Sequence, residues 1–397
     1  MRYSVPISAC ISLILLIISG CTITPYYTGE QVIEEHQELL RGEAFFPAEE
    51  PLPELEQVEL LAVNEDMRAF LDEIIPSPTM TDEQKTYRIL EALLDDGLNL
   101  QYENLKTYTA AQAFEHRAGN CMSFTNLFIA LAREVGVIAS YQEVKVPPTW
   151  SAIGDTHYYY LHINTIVDYH SGKQVVVDFD TRMQTQSSRD TRASRIDVNR
   201  DRSRHVGDGT AAAQYFNNMA VYYLGEGELP TAFLHSRKAI VLRPNTGYFW
   251  SNMGTILKRA GDLGHAEQAY LAAIHLDNEP AAVSNLARLY KQQGRLDEAA
   301  RYAALAESFR ARNPYYLYEL ASNAYDAGDY ERASELLRSA VRKHDEHEFY
   351  RLLGMTWLKL GEAKRAERSF KKAAKYATDS EQSGLIAQKL RLLASSS

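Results

Sequence analysis

Five glycines, Gly227, Gly261, Gly294, Gly328 and Gly361, recur every 33 or 34 residues in the second half of this 397-residue chain. An alanine follows five residues after each: Ala232, Ala266, Ala299, Ala333 and Ala366. Another follows twelve after each: Ala239, Ala273, Ala306, Ala340 and Ala373. Seven before each stands a further small residue: Ala220, Gly254, Ala287, Ala321 and Gly354. Small residues at fixed offsets let two antiparallel helices approach closely, and the glycine frees the turn between them. One such pair cannot bury its apolar face alone, so the units must stack into a solenoid.

This pattern resembles the tetratricopeptide repeat, in five copies over about residues 213–380, with the usual repeat-ending proline kept only at Pro244. Residues 381–394, with Leu385, Ile386, Leu390 and Leu393, suit a closing helix, so residues 211–397 read as one independently folding all-α solenoid. The resemblance implies that a protein or peptide partner binds along the concave face, which is lined by the first helix of each pair. Carried over position by position, the groove residues are Asn217, Lys258, Arg288, Lys291, Tyr315, Tyr318, Tyr325 and Arg351. This polar, aromatic and partly basic set suits an extended segment bearing carboxylates.

The N-terminus has a different logic. Arg2 is followed by an apolar run from Ile7 to Ile18, broken only by Ser8 and Ser12. The run is too short for a stable membrane span and reads as a signal peptide over residues 1–21. Ile18-Ser19-Gly20-Cys21 resembles the lipobox of bacterial lipoproteins. That resemblance implies cleavage before Cys21, loss of Cys10 and a lipid on Cys21. Thr22, where an aspartate would favour the inner membrane, favours the outer membrane facing the periplasm. Residues 22–62 hold Pro47, Pro51 and Pro53 among glutamates and predict an extended tether.

Residues 186–210 interleave arginines with Asp190, Asp197, Asp201 and Asp208, which predicts a solvated charged linker. The formal net charge of −10 argues against nonspecific nucleic-acid binding. There is no phosphate-binding glycine loop and no zinc-ligand spacing, so no cofactor or metal is expected. His344 and His347 have no supporting ligand cluster and read as a surface turn.

Of the three cysteines, Cys10 and Cys21 belong to the export segment, which leaves Cys121 as the free thiol. Thr81-x-x-Gln84 is a capping box for a helix running towards Gly97, and Ala110 to His116 is helical. Ala118-Gly119-Asn120 breaks the pattern. Met122 to Val135 resumes it, with Phe124, Leu127, Phe128 and Leu131 on one apolar stripe. Asn120 suits the N-cap and puts Cys121 in the first turn, where the helix dipole and free N–H groups favour a thiolate and an oxyanion.

Strands are predicted over Ala139–Val146, His157–Val167 and Gln174–Asp180, with a hairpin turn at Asp168–Lys173. A turn centred near His170 pairs residues whose numbers sum to 340, which sets His162 opposite Asp178. This geometry favours His162 over His157 and His170. Tyr158, Tyr159 and Tyr160 are cleft residues by position, although alternation sends at least one to the core.

Gly119-Asn120-Cys121 with its helix, His162-Ile163-Asn164 and Val177-Asp178-Phe179-Asp180 together resemble the transglutaminase-like superfamily, over about residues 80–182. That superfamily is related in fold to papain-like cysteine proteases. The resemblance implies an α+β domain, here residues 63–185, with a catalytic Cys121, His162 and Asp178. Met122 stands where a tryptophan often follows the nucleophile, and Phe179 where a proline often follows the acid. Asp180 shares a strand face with Asp178 and is the other candidate acid.

Two functions fit this chain. One is an enzyme of amide acyl transfer or hydrolysis, with a repeat domain that recruits a partner. The other is a non-catalytic repeat adaptor or scaffold in envelope assembly.

Overall fold

The structure is a computed structural model that describes residues 29–94, 97–103, 106–144, 151–153, 156–158, 162–179, 196–197 and 203–376. The export segment with Cys10 and Cys21, Tyr159, Tyr160, Asp180 and the closing helix over 381–394 lie outside the described residues. Among the described residues no helix is long and apolar enough to cross a membrane.

Two short helices come first among the described residues, α1 (Gly29–Glu35) and α2 (Gln37–Arg41). An α+β unit follows, with α3 (Glu65–Ile74), α4 (Asp82–Leu94), β1 (Gln101–Tyr102), α5 (Ala110–His116), β2 (Ala118–Gly119) and α6 (Cys121–Glu134). Its strands are β3 (Ile138–Val144), β4 (Ser151–Ile153), β5 (Thr156–Tyr158), β6 (His162–Asp168), β7 (Gln174–Val177), β8 (Ile196–Asp197) and β9 (Ser203–Val206). Five of them form one antiparallel sheet in the order β8-β7-β6-β3-β9. Helix α6 packs on this sheet and is apolar nearly all round, with Phe124, Leu127, Phe128 and Leu131 almost wholly buried.

Among the described residues, ten further helices follow as five pairs: α7 (Asp208–Glu226) with α8 (Leu229–Leu242), α9 (Gly247–Ala260) with α10 (Leu263–Asp277), α11 (Pro280–Gln292) with α12 (Leu296–Arg312), α13 (Pro314–Asp326) with α14 (Tyr330–Lys343), and α15 (His347–Lys359) with α16 (Ala363–Lys375). The five repeating glycines all adopt left-handed backbone, φ between +75° and +86°, where the chain turns between the helices of a pair. At Gly254 an added Cβ would come within 2.8 Å of the Tyr270 ring, so the small residue there sets how closely α9 approaches α10.

Three expectations about the architecture are corrected. Residues 29–62 are not an extended tether. Val32, Leu39 and Leu40 are buried, and His36 lies 4.9 Å from the Trp250 ring. Phe45 and Phe46 flank Phe233, and Arg237 Nε donates to the Leu40 carbonyl at 2.9 Å. The apolar side chains between the glutamates win, because burying them against the repeats outweighs the solvation of a mixed segment. The charged linker is also partly structured: β8 and β9 extend the sheet at both edges. Edge strands this short need only backbone pairing, and Val206 of β9 supplies a buried apolar side chain.

The solenoid, thirdly, is not separate from the domain before it. One apolar core runs from Val32 through the α+β unit to Ala299 in the third repeat. A second core, from Leu317 to Ala373, belongs to the last two pairs. His344 lies in the expected turn, between α14 and α15, and His347 opens α15, but both side chains pack against the second core and not at the open surface. His347 is buried with Nδ1 3.0 Å from the Ala373 carbonyl, and His344 packs beside Tyr315 and Phe349.

Candidate active site

Cys121 is the first residue of α6 and is partly exposed. Asn120 caps the helix in extended conformation. Its Oδ1 accepts from the Ser123 backbone N–H at 3.0 Å, while its own N–H donates to Ser123 Oγ at 3.3 Å. The reciprocal pair satisfies two end groups of the helix, while the Cys121 and Met122 N–H groups, by helix geometry, have no intrahelical partner. Gly119, at φ +155°, sits so close to Ser123 that an added Cβ would lie 2.4 Å from the serine Cβ. The break before the cysteine therefore needs glycine for space as well as for backbone.

The approach to the cysteine is fixed by a two-strand parallel pair, Gln101 with Ala118 and Tyr102 with Gly119. Thr107, almost fully buried, accepts from Asn120 Nδ2 at 2.7 Å. Tyr108 N–H donates to Ser123 Oγ at 2.8 Å, and Asn126 Nδ2 donates to the Tyr108 carbonyl at 2.9 Å. Tyr141 OH closes the set by donating to Asn126 Oδ1 at 2.7 Å; its burial pushes the phenol well above the ordinary range, so it is a permanent donor.

The acid motif reaches the same helix through its neighbour. Phe179 is buried with its ring 6.0 Å from Phe124 and 6.1 Å from Phe128. The departure from proline at this position is thus a core contact. Asp178 accepts from Asn164 Nδ2 at 3.0 Å.

That bond corrects the expected register. The observed pairs Thr165 with Val177, Ile166 with Val176, Val167 with Val175 and Asp168 with Gln174 sum to 342 and not to 340. The turn is centred one residue later than expected: Tyr169 N–H donates to the Lys173 carbonyl, Gly172 takes φ +83°, and the reversal centres on Ser171. Asn164 therefore stands across from Asp178. His162 opens β6 two residues earlier, with its backbone paired to Val144 of β3. In the 342 register the partner number for His162 is 180. Asn164 has the part that sequence reasoning missed: it is buried, and its Oδ1 accepts nothing among the described residues. The His-x-Asn spacing was its only signal.

His157 and His170 do not join this arrangement. His157 pairs through its backbone with Ala152 in the separate β4–β5 hairpin. His170 is exposed, and its Nδ1 and backbone N–H contact Asp82 Oδ2 at 2.7 and 2.6 Å. Burial alone would raise the Asp82 carboxyl, but these bonds hold it below its usual value.

The groove positions divide into two groups. Asn217 is buried and accepts from Asn252 Nδ2 at 2.8 Å, so it joins two repeats and does not line an open surface. Lys258 and Arg288 are half-buried and Lys291 is exposed. Helix α11, which carries Arg288 and Lys291, also faces β5 of the same chain. Tyr315 and Tyr318 both pack on Phe349, at 4.9 and 5.1 Å, and donate to Glu346 and Glu348. Arg351 lies beside Glu348 and Met355, and Tyr325 packs edge-on to Tyr330.

Residues 69–178 match the transglutaminase-like superfamily, a span that holds Cys121 and His162 and ends on Asp178. Residues 252–315 and 318–381 match the tetratricopeptide repeat. The chain carries a transglutaminase-like domain followed by tetratricopeptide repeats. The transglutaminase-like domain supplies the capped cysteine helix, and the repeats supply the five helix pairs.

No curated protein matches the chain. Solved structures resemble the tetratricopeptide repeats. The Cut9–Hcn1 hetero-tetramer of the APC/C is similar at 18% identity, over 46% of this chain and 36% of that chain, with a TM-score of 0.24. Pseudomonas aeruginosa pilF is similar at 16%, over 47% and 89%, with a TM-score of 0.26. YrrB, described as a TPR protein with an unusual peptide-binding site, is similar at 16%, over 45% and 92%, with a TM-score of 0.24. The chain thus spans about a third of the Cut9–Hcn1 chain it resembles. These scores are low, and the repeat fold here stands on its own helix pairs.

Proposed function

We propose that this protein is a lipid-anchored cysteine acyl-transfer enzyme of the bacterial cell envelope, with repeats that hold a protein partner or substrate. Cys121 attacks an amide or ester carbonyl. The thiolate forms a thioester, the first-turn N–H groups of α6 hold the oxyanion, and the leaving amine takes its proton from His162. Water then resolves the acyl-enzyme in a hydrolase, or an amine does so in a transglutaminase. Asp178, held by Asn164, or Asp180 orients the imidazole.

The observation that carries this reading is the capped, partly exposed Cys121 at the start of α6, on the helix against which the acid motif packs through Phe179. The test is covalent labelling of Cys121 by iodoacetamide near neutral pH, with and without His162→Ala. Slower labelling in the variant, together with loss of amidase or amine-transfer activity in Cys121→Ala, supports the enzyme. Labelling unchanged by His162→Ala leaves the adaptor reading.

The anchor belongs to the same proposal. Lipid on Cys21 places the protein at the outer membrane facing the periplasm, and Cys21→Ser removes metabolic lipid labelling. A wild-type mature N-terminus free of lipid overturns it. The groove expected on Lys258, Arg288, Lys291, Tyr315, Tyr318, Tyr325 and Arg351 holds a protein or peptide segment, in keeping with the exposed Lys291 and the half-buried tyrosine rings along the first helices.

A further inference from the structure

The first half of helix α7, the first of the repeats, meets the cysteine helix α6 near both ends of α6. At one end Arg133 of α6 makes a two-point bond to Asp208, Nη1 to Oδ2 at 2.7 Å and Nη2 to Oδ1 at 3.0 Å. At the other, Asn218 Nδ2 donates to Thr107 Oγ1 at 3.2 Å and lies 3.6 Å from Met122 Sδ. Ten residues separate Asp208 from Asn218, and eleven separate Met122 from Arg133. At about 1.5 Å per residue the two spans match, so the helices run antiparallel alongside each other.

The polar contacts at the Asn218 end converge on Thr107. Tyr248 OH donates to Gln214 Oε1, Gln214 Nε2 donates to Asn218 Oδ1 at 3.1 Å, and Asn218 Nδ2 donates to Thr107 Oγ1. Thr107 Oγ1 also accepts from Asn120 Nδ2, whose Oδ1 then faces the Ser123 N–H as the helix cap. Each amide has one side that must meet a donor and one that must meet an acceptor. Thr107 Oγ1 is therefore a double acceptor, with one donor from the first repeat helix and one from the cap of the cysteine helix. Thr107, Asn120, Gln214 and Tyr248 are all buried, where water cannot substitute for a lost partner.

We propose that Asn218, on the first repeat helix, is a positioning residue for Cys121, acting through Thr107 and the cap Asn120. Without the Asn218 donor, the Thr107 hydroxyl loses one of the two donors that fix its rotation, and its hold on Asn120 weakens. The cap then loosens, and the first turn no longer holds the thiol in one place. The repeats thereby become part of the reactive unit as well as a partner-binding arm. The inference rests on Cys121 being the reactive thiol, as in the function proposed above.

The experiment measures the iodoacetamide alkylation rate of Cys121 against pH in the full chain, with urea unfolding recorded for every variant. Asn218→Ala lowers the rate about threefold to tenfold, the scale of one lost hydrogen bond. Thr107→Val lowers it equally, Thr107→Ser restores it, and the Asn218→Ala/Thr107→Val double variant is no slower than Thr107→Val alone. An unchanged rate profile in Asn218→Ala, even with lower stability, overturns the inference and makes the contact simple glue between domains. So do additive losses in the double variant. If Asn218→Ala destabilises the fold too far, the Thr107→Val and Thr107→Ser pair decides the question in its place. His162→Ala distinguishes the two readings: labelling indifferent to His162 but sensitive to Asn218 sinks the enzyme and keeps the positioning role.

Discussion

Asn164 Nδ2 donates to Asp178 Oδ2 at 3.0 Å from the neighbouring strand, so the acid candidate is held by an amide one residue beyond the β6–β7 ladder. A hydrogen bond to a charged group is worth about 1.5–3 kcal/mol. Asn164→Leu should therefore reduce Cys121-dependent turnover by about tenfold to a hundredfold, with less effect on folding. Asp178→Asn and Asp180→Asn, assayed beside it, show which carboxylate shares the loss. A turnover unchanged in Asn164→Leu separates this bond from the chemistry.

Arg133 and Asp208 should couple the domain to the repeats by no more than about 1 kcal/mol, because both side chains are well exposed. The two-point geometry puts the value near the top of that range. A double-mutant cycle with Arg133→Met and Asp208→Asn, read by urea unfolding at low and high salt, checks it. Coupling that ignores salt counts against an ionic origin.

Glu279 caps α11 from a buried site and accepts from the Ala281 N–H at 3.2 Å. Burial pushes its carboxyl up from the ordinary 4.5 to about 7, and the Asp277 carboxylate acts in the same direction. The folded chain keeps a proton that the unfolded chain loses, so stability falls as pH rises from about 4.5 to about 7 and stays reduced above that window. Glu279→Gln keeps an acceptor for Ala281 and should raise stability at pH 8 by on the order of 1–3 kcal/mol. Asp277, also raised by burial, leaves a residual slope. Thermal melts of both proteins between pH 4 and 8 test the sign.

Gly354→Val should disturb only the last two repeats. A Cβ at this position would fall 2.7 Å from the Phe370 ring, inside the second core. Overpacking of this kind costs about 1–3 kcal/mol. Chemical unfolding should show two transitions, and the substitution should move the one that belongs to residues 317–376. One shared transition that shifts as a whole would join the two cores energetically.

The solenoid was legible because its signal is redundant. Gly227 to Gly361 and their flanking alanines repeat the same steric demand five times. The cysteine helix was legible because Asn120, Gly119 and the apolar stripe after Met122 are local signals. The strand register was not: it turned on whether the chain reverses at His170 or Ser171, a difference of one residue that Gly172 leaves open. The fate of residues 29–62 was also hidden. Phe45, Phe46 and His36 matter only because Phe233 and Trp250, about two hundred residues later, offer them a surface. Asn218 belongs to the same class, since its partner Thr107 is 111 residues away.

The docked N-terminal segment also sets a working distance. A free spacer from Cys21 to residue 62 would have a reach of about 140 Å. With α1 already seated against the repeats at Gly29, only eight residues separate the body from Cys21, a span of at most about 29 Å. If the lipid sits on Cys21, the thiol operates on a short leash: its targets must lie in the layer next to the bilayer or be brought there by whatever the repeats hold.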